Sequence, residues 1–127
     1  MPFPTTENCV AAAERELNVV LPAEYRQRLT SVNGGGITTA GDDWLVFPVK
    51  DDTDASRAEQ TRNHLVVRAS AARSEKSFPV DALAIASNSR GDLLVLLKAE
   101  GAARLDGRVH VWDRATGQLR PTALDFS

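Results

Sequence analysis

Leu21-Pro22-Ala23-Glu24-Tyr25-Arg26-Gln27-Arg28-Leu29-Thr30-Ser31-Val32-Asn33-Gly34-Gly35-Gly36-Ile37-Thr38-Thr39 holds a helix, its stop and the first strand in one unbroken run. Pro22 stands where the first helical residue is expected, because its missing N–H is one that a helix start leaves unpaired anyway. Tyr25, Leu29 and Val32 follow at helical spacing and define an apolar stripe. Asn33 and the three glycines tolerate left-handed dihedrals and end the helix. From Ile37 the period falls from 3.6 to two.

Working backward, Thr5 or Thr6 caps an earlier helix whose inner side is Val10, Ala13 and Leu17, and Asn18 closes it. Working forward, Ile37–Thr39 and Trp44–Val49 read as strands joined by a turn at Ala40-Gly41-Asp42-Asp43. Asp51-Asp52-Thr53-Asp54 is a polar loop that caps a third helix, expected over residues 55–74, with Ala58, Leu65, Ala69 and Ala72 inward. Phe78-Pro79 breaks the chain. A hairpin then forms from Leu83–Ala86 and Leu93–Leu97 around Asn88-Ser89-Arg90-Gly91-Asp92, where Gly91 supplies the positive φ. Leu93–Leu97 is apolar without alternation, as a strand buried on both faces must be. Arg108–Trp112 alternates, Asp113–Gly117 turns, and Gln118–Arg120 returns as an edge strand. The order helices, strands, helix, meander defines an α+β fold, with N-terminal helices packed on a mainly antiparallel sheet.

The 127 residues suit one domain, taken as 1–127, with a formal net charge of −2. That charge is too small to point to nucleic acid. No apolar run is long enough to span a membrane. The start Met1-Pro2-Phe3-Pro4 lacks the basic and apolar regions of a secretory signal, and Cys9 is the only cysteine. The expected location is therefore the cytoplasm. Residues 1–54 carry nine acids against four bases, and the rest eight against eleven. The acids concentrate at Asp42, Asp43, Asp51, Asp52 and Asp54, on two loops flanking the strand that carries Trp44.

Residue chemistry offers no catalytic centre. Gly34-Gly35-Gly36 follows a helix and precedes a strand, the wrong polarity for a phosphate loop, and no Lys-Ser or Lys-Thr pair follows it. His64 and His110 stand far apart and Cys9 is alone, so no zinc-type ligand pair exists. The aspartate run lacks the glycine and distal glutamate of a calcium loop. His110, between Val109 and Val111, reads as a hydrogen-bonded structural histidine. No nucleophile elbow is present. Catalytic residues, cofactor and metal are all expected to be none, and Trp44 and Trp112 read first as core.

Three segments together resemble a family. They are Val10-x-x-x-Glu14-x-x-Leu17-x-Val19-x-Leu21-Pro22-x-x-Tyr25-x-x-x-Leu29-x-x-x-Asn33-Gly34-Gly35, then Pro79-Val80-Asp81-x-Leu83-x-Ile85-Ala86-Ser87-Asn88-x-x-Gly91-Asp92, and last Val109-x-Val111-Trp112-Asp113 with Ala123-Leu124-Asp125-Phe126. In this order they resemble the SUKH superfamily (Smi/Knr-like), which groups fungal cell-wall-assembly regulators with many bacterial immunity proteins. Residues 51–76 lie outside the match. Asn18 stands where glycine is common, and Arg114 where histidine is expected. The resemblance implies a protein-binding domain without catalysis, most readily an immunity protein that neutralises a cognate nuclease or deaminase toxin. A housekeeping regulator of the same fold and a small enzyme are the alternatives. The implied contact set is Asp42, Asp43, Trp44, Asp51, Asp52 and Asp54, acids that would oppose a basic nuclease cleft.

Overall fold

A computed structural model describes residues 4–62, 64–79, 81–98 and 104–126. Met1 to Phe3 and Val80, used in the sequence reading, lie outside the described residues. The first helix, α1 (Glu7–Leu17), starts at Thr6, whose hydroxyl accepts from Cys9 N–H at 3.3 Å. It stops at Asn18, left-handed at φ 56°, a geometry that favours glycine and that asparagine tolerates. That geometry explains why Asn18 can replace a glycine. Glu14 bridges to the next element, with its carboxylate accepting from Leu21 N–H at 2.8 Å and pairing with Arg26 at 3.3 Å.

Helix α2 (Ala23–Ser31) buries Tyr25 and Leu29. Pro22 precedes the helix as its cap, one position earlier than the sequence suggests. Val32 is not part of the stripe: it is extended at φ −140° and partly exposed. The helix ends early because Asn33 is taken by another segment. Its amide donates to Val49 C=O at 3.0 Å and accepts from Val49 N–H at 2.8 Å, all of it buried. Gly34 (φ 108°) and Gly35 (φ 78°) then turn the chain, and a Cβ on Gly34 would come within 3.3 Å of the Val46 carbonyl.

Strands β1 (Gly36–Thr39) and β2 (Asp42–Val46) form a hairpin on the two-residue turn Ala40-Gly41, both at positive φ. Asp42 and Asp43 are therefore paired strand residues opposite Thr39 and Thr38, rather than turn residues. The strand expected over residues 44–49 stops at Val46 because Pro48 has no N–H to continue the ladder.

The single third helix expected over residues 55–74 is two. Asp54 caps α3 (Ala55–Gln60), accepting from Arg57 N–H at 2.8 Å. The break comes at Thr61, whose buried hydroxyl accepts from Asp51 N–H at 3.0 Å and sits 2.9 Å from the Arg57 carbonyl. Helix α4 (Leu65–Arg73) restarts with Leu65 N–H bonded to the Pro48 carbonyl at 2.6 Å. Leu65, Ala69 and Ala72 are inward as read, whereas Ala58 is exposed.

The remaining strands, β3 (Ala82–Ser87), β4 (Leu93–Lys98), β5 (Leu105–Trp112) and β6 (Leu119–Asp125), complete a sheet ordered β1-β2-β3-β4-β5-β6. Every neighbouring pair is antiparallel. The edge strands β1 and β6 approach each other, so the sheet curls, while α4 packs on β3 and α1 packs on both α2 and α4. Ile85, Leu94, Val95, Leu96 and Val109 have no exposed surface. Each such side chain contributes about 1.5–3 kcal/mol on burial, more than a typical helix cap at about 1 kcal/mol. Beta6 runs well past the expected Arg120 and delivers Phe126 to Tyr25, ring centroids 5.3 Å apart.

Replacing Asn33 by alanine leaves both polar groups of Val49 buried and unpaired. The expected loss is about 2–4 kcal/mol, read as a lower urea midpoint at unchanged m-value.

Candidate partner-binding surface

The six residues singled out from the sequence do not form one patch. Trp44 is 3% exposed and its indole N–H donates to the Thr39 carbonyl at 3.0 Å, so it braces the β1–β2 hairpin from inside. Asp51, also 3% exposed, accepts from Thr5 Oγ1 at 2.8 Å, from Thr53 Oγ1 at 2.6 Å and from Thr53 N–H at 3.1 Å. These two correct the surface reading: both belong to the interior. Asp42 is tied to Arg90 and to Asn88 Nδ2 at the β3–β4 turn. Asp43, Asp52 and Asp54 are exposed. Asp43 accepts from its cross-strand neighbour Thr38 at 2.8 Å, and Asp54 uses one oxygen on the α3 cap.

Between these acids stands a residue the sequence reading passed over. Leu45, in the middle of β2, is 69% exposed. It borders a cleft of about 440 Å³ shared with Gly34, Gly35, Pro48, Gln60 and Thr61. The signal was available, since Trp44 and Val46 flank Leu45 and strand alternation sends it to the opposite face. The glycine loop follows the helix end at Ser31 rather than making it, and it is held from behind. Arg28 donates to the Gly34 carbonyl at 2.7 Å and to the Gly36 carbonyl at 3.4 Å.

A second cleft, of about 420 Å³, opens between α4 and the β3–β4 turn. Arg68 lies over the Phe47 ring, 5.1 Å from its centroid. Arg114, the departure from the family pattern, pairs with Glu75 at 3.4 Å and packs across Gly91, where a Cβ would lie 3.0 Å from its Nη1. Gly91 also carries φ 87°, a backbone geometry that favours glycine, whereas the Arg114 tip could shift aside. Asp92 supports this corner by accepting from Arg114 N–H at 3.1 Å and from Asn88 and Arg90.

The remaining polar groups do not converge. Among the described residues no three His, Cys, Asp or Glu side chains are placed to share a metal ion. His110 lies opposite Val95 and Pro121, and its buried Nδ1 has no hydrogen-bond partner, unlike the bonded histidine expected. Cys9 is half-buried and takes a hydrogen bond from the Thr6 hydroxyl at 3.4 Å. No helix among the described residues is long and apolar enough to cross a membrane.

Fold and clefts thus define an α+β module whose exposed concave surfaces are candidate working parts. The chain matches the model of the SMI1 / KNR4 family (SUKH-1) over residues 4–127, and it belongs to that family. The family includes immunity proteins, and its members generally bind protein partners. No curated protein matches the sequence.

Burial works against ionisation of Asp51, but the hydrogen bonds from Thr53 and Thr5, with the Arg57 charge, outweigh it and hold the carboxyl below its ordinary value. Asp92 is held low in the same way, burial being outweighed by the Arg114 N–H, Asn88 and Arg90. A depressed folded pKa contributes stability that is complete above the unfolded value, near 4, and lost as pH falls through the folded one. Stability should therefore fall below about pH 5. Asp51→Asn should flatten that fall in acid-denaturation curves while lowering stability at neutral pH.

Proposed function

We propose that residues 1–127 act as one cytoplasmic binding domain, an immunity protein of bacterial type that neutralises a cognate toxin domain by direct contact. Membership of a family that includes immunity proteins supports this reading. The observation that carries it to a surface is Leu45, a large apolar side chain left 69% exposed beside a cleft, with the acids Asp43, Asp52 and Asp54 exposed on the same β2–α3 stretch. An apolar anchor ringed by charge is the usual anatomy of a protein interface. Acids around it suit the basic surface of a nuclease or deaminase and speed its encounter. Trp44 and Asp51 shape this surface from beneath, and Asp42 holds its edge to the β3–β4 turn. Binding and occlusion need no catalytic residue, metal or cofactor from this chain.

The test is binding to any toxin domain that a neighbouring gene encodes, followed by co-expression rescue of growth. Leu45→Asp should weaken binding by about a hundredfold, the loss of a central anchor. Asp43→Lys with Asp52→Lys should weaken it mainly through the association rate and flatten its salt dependence. Asp54 is left intact, because its replacement also removes the α3 cap. Unchanged affinity in both variants would move the interface elsewhere. Stable capture of housekeeping proteins, with no toxin bound, would turn the reading to a regulator of the same fold.

A further inference from the structure

We propose that the arginine-lined cleft between α4 and the β3–β4 turn is a second docking site, and that it receives an acidic polypeptide segment of a protein partner. The proposal rests on the chain being a protein-binding module, but not on the partner being a toxin. Leu93 gives the cleft its accessible apolar surface above the buried Phe47 and Trp112, and Arg68, Arg90 and Arg114 line its opening. The three guanidinium groups come from α4, the β3–β4 turn and the turn after β5, which the fold brings to one opening.

Their states differ, and the differences indicate what can bind. Arg90 is anchored by Asp42 and Asp92, so its place is fixed. Among the described residues Arg114 pairs with Glu75 at 3.4 Å, and both side chains are about half exposed. Such a surface pair contributes little and exchanges readily for an incoming carboxylate. Arg68 is exposed and, among the described residues, lies within ion-pair distance of no carboxylate. Its guanidinium lies over Phe47, which leaves the N–H fork at its edge open to a planar anion. The free capacity is thus Arg68 together with Arg114.

Carboxylates spaced along a chain match this layout better than a single phosphate. Each guanidinium has its own neighbour, Phe47, Glu75 or the Asp42–Asp92 pair, so positive charge is spread along the cleft rather than focused on one point. The partly exposed Leu93 suits an apolar side chain lying between the acids. Arg68 opposes in sign the acids around Leu45, so a partner that uses both surfaces must offer a basic face to one and an acidic strand to the other.

The test is a nitrogen–proton NMR titration of the full chain with a short capped peptide of alternating glutamate and leucine. Shifts should concentrate at Ala71, Ser89, Gly91 and Leu93, and the affinity should fall as salt rises. Arg68→Gln keeps the stem and removes the charge at an exposed position, so it should fold and bind about tenfold more weakly. Arg114→Gln should weaken binding similarly. Wild-type affinity in both variants, or shifts scattered over the basic residues outside the cleft, would overturn the proposal. Inorganic phosphate or an RNA oligonucleotide that displaces the peptide at equal charge concentration would overturn it as well, by showing a general anion site. Failure with the peptide leaves the toxin reading intact, and absence of a toxin leaves the peptide result intact.

Discussion

The fold turns on the two hydrogen bonds between the Asn33 amide and the backbone of Val49. They fix residues 47–51, an extended stretch with no regular structure of its own, against the end of α2. That stretch then ties the other parts together. Phe47 N–H bonds the Ile85 carbonyl of β3 at 2.8 Å, and the Pro48 carbonyl takes the first N–H of α4. Asp51 holds Thr5 ahead of α1 and Thr61 at the helix break. A buried backbone with no ladder must pair every polar group, so the residues that pair it are constrained as tightly as a core.

This division of labour separates framework from working surface. Residues that carry the family pattern are mostly interior or locked in turns: Glu14 joins α1 to α2, Asn33 holds Val49, and Asn88 accepts from Arg90 and Asp92 N–H. Trp112 packs edge-on against Phe78, 5.3 Å apart, and donates to the Ser77 carbonyl. The exposed side chains of the two clefts, Leu45, Arg68 and Arg114, lie outside that pattern or depart from it. With the pattern residues committed to the framework, the choice of partner falls to the exposed side chains.

The elements legible in the sequence are those whose ends carry their own chemistry. Thr6 and Asn18 bound α1, Asn88 and Gly91 make the β3–β4 turn, and the alternation of Arg108–Trp112 marks β5. The misreadings share one cause, distant partners. Asp51 sits in an acidic run and reads as surface, because nothing local shows that Thr5 will meet it from 46 positions away. The long third helix reads as continuous, because Thr61 breaks it by bonding to Asp51 rather than through any breaker of its own. The arginine cleft could not be read at all, since its members lie on three elements that only the curled sheet brings together. Leu45 was readable from strand alternation alone, because the buried Trp44 and Val46 flank it.

Phe126 gives the fold a clock. Its carbonyl takes the Glu24 N–H at 3.1 Å and its ring covers Tyr25, so α2 is sealed by a residue about a hundred positions later. At roughly 5–20 residues per second, a ribosome needs about 5–20 s to make the chain between them. During that interval α2 has been made without the residue that seals it, and the Tyr25 ring lacks its Phe126 cover.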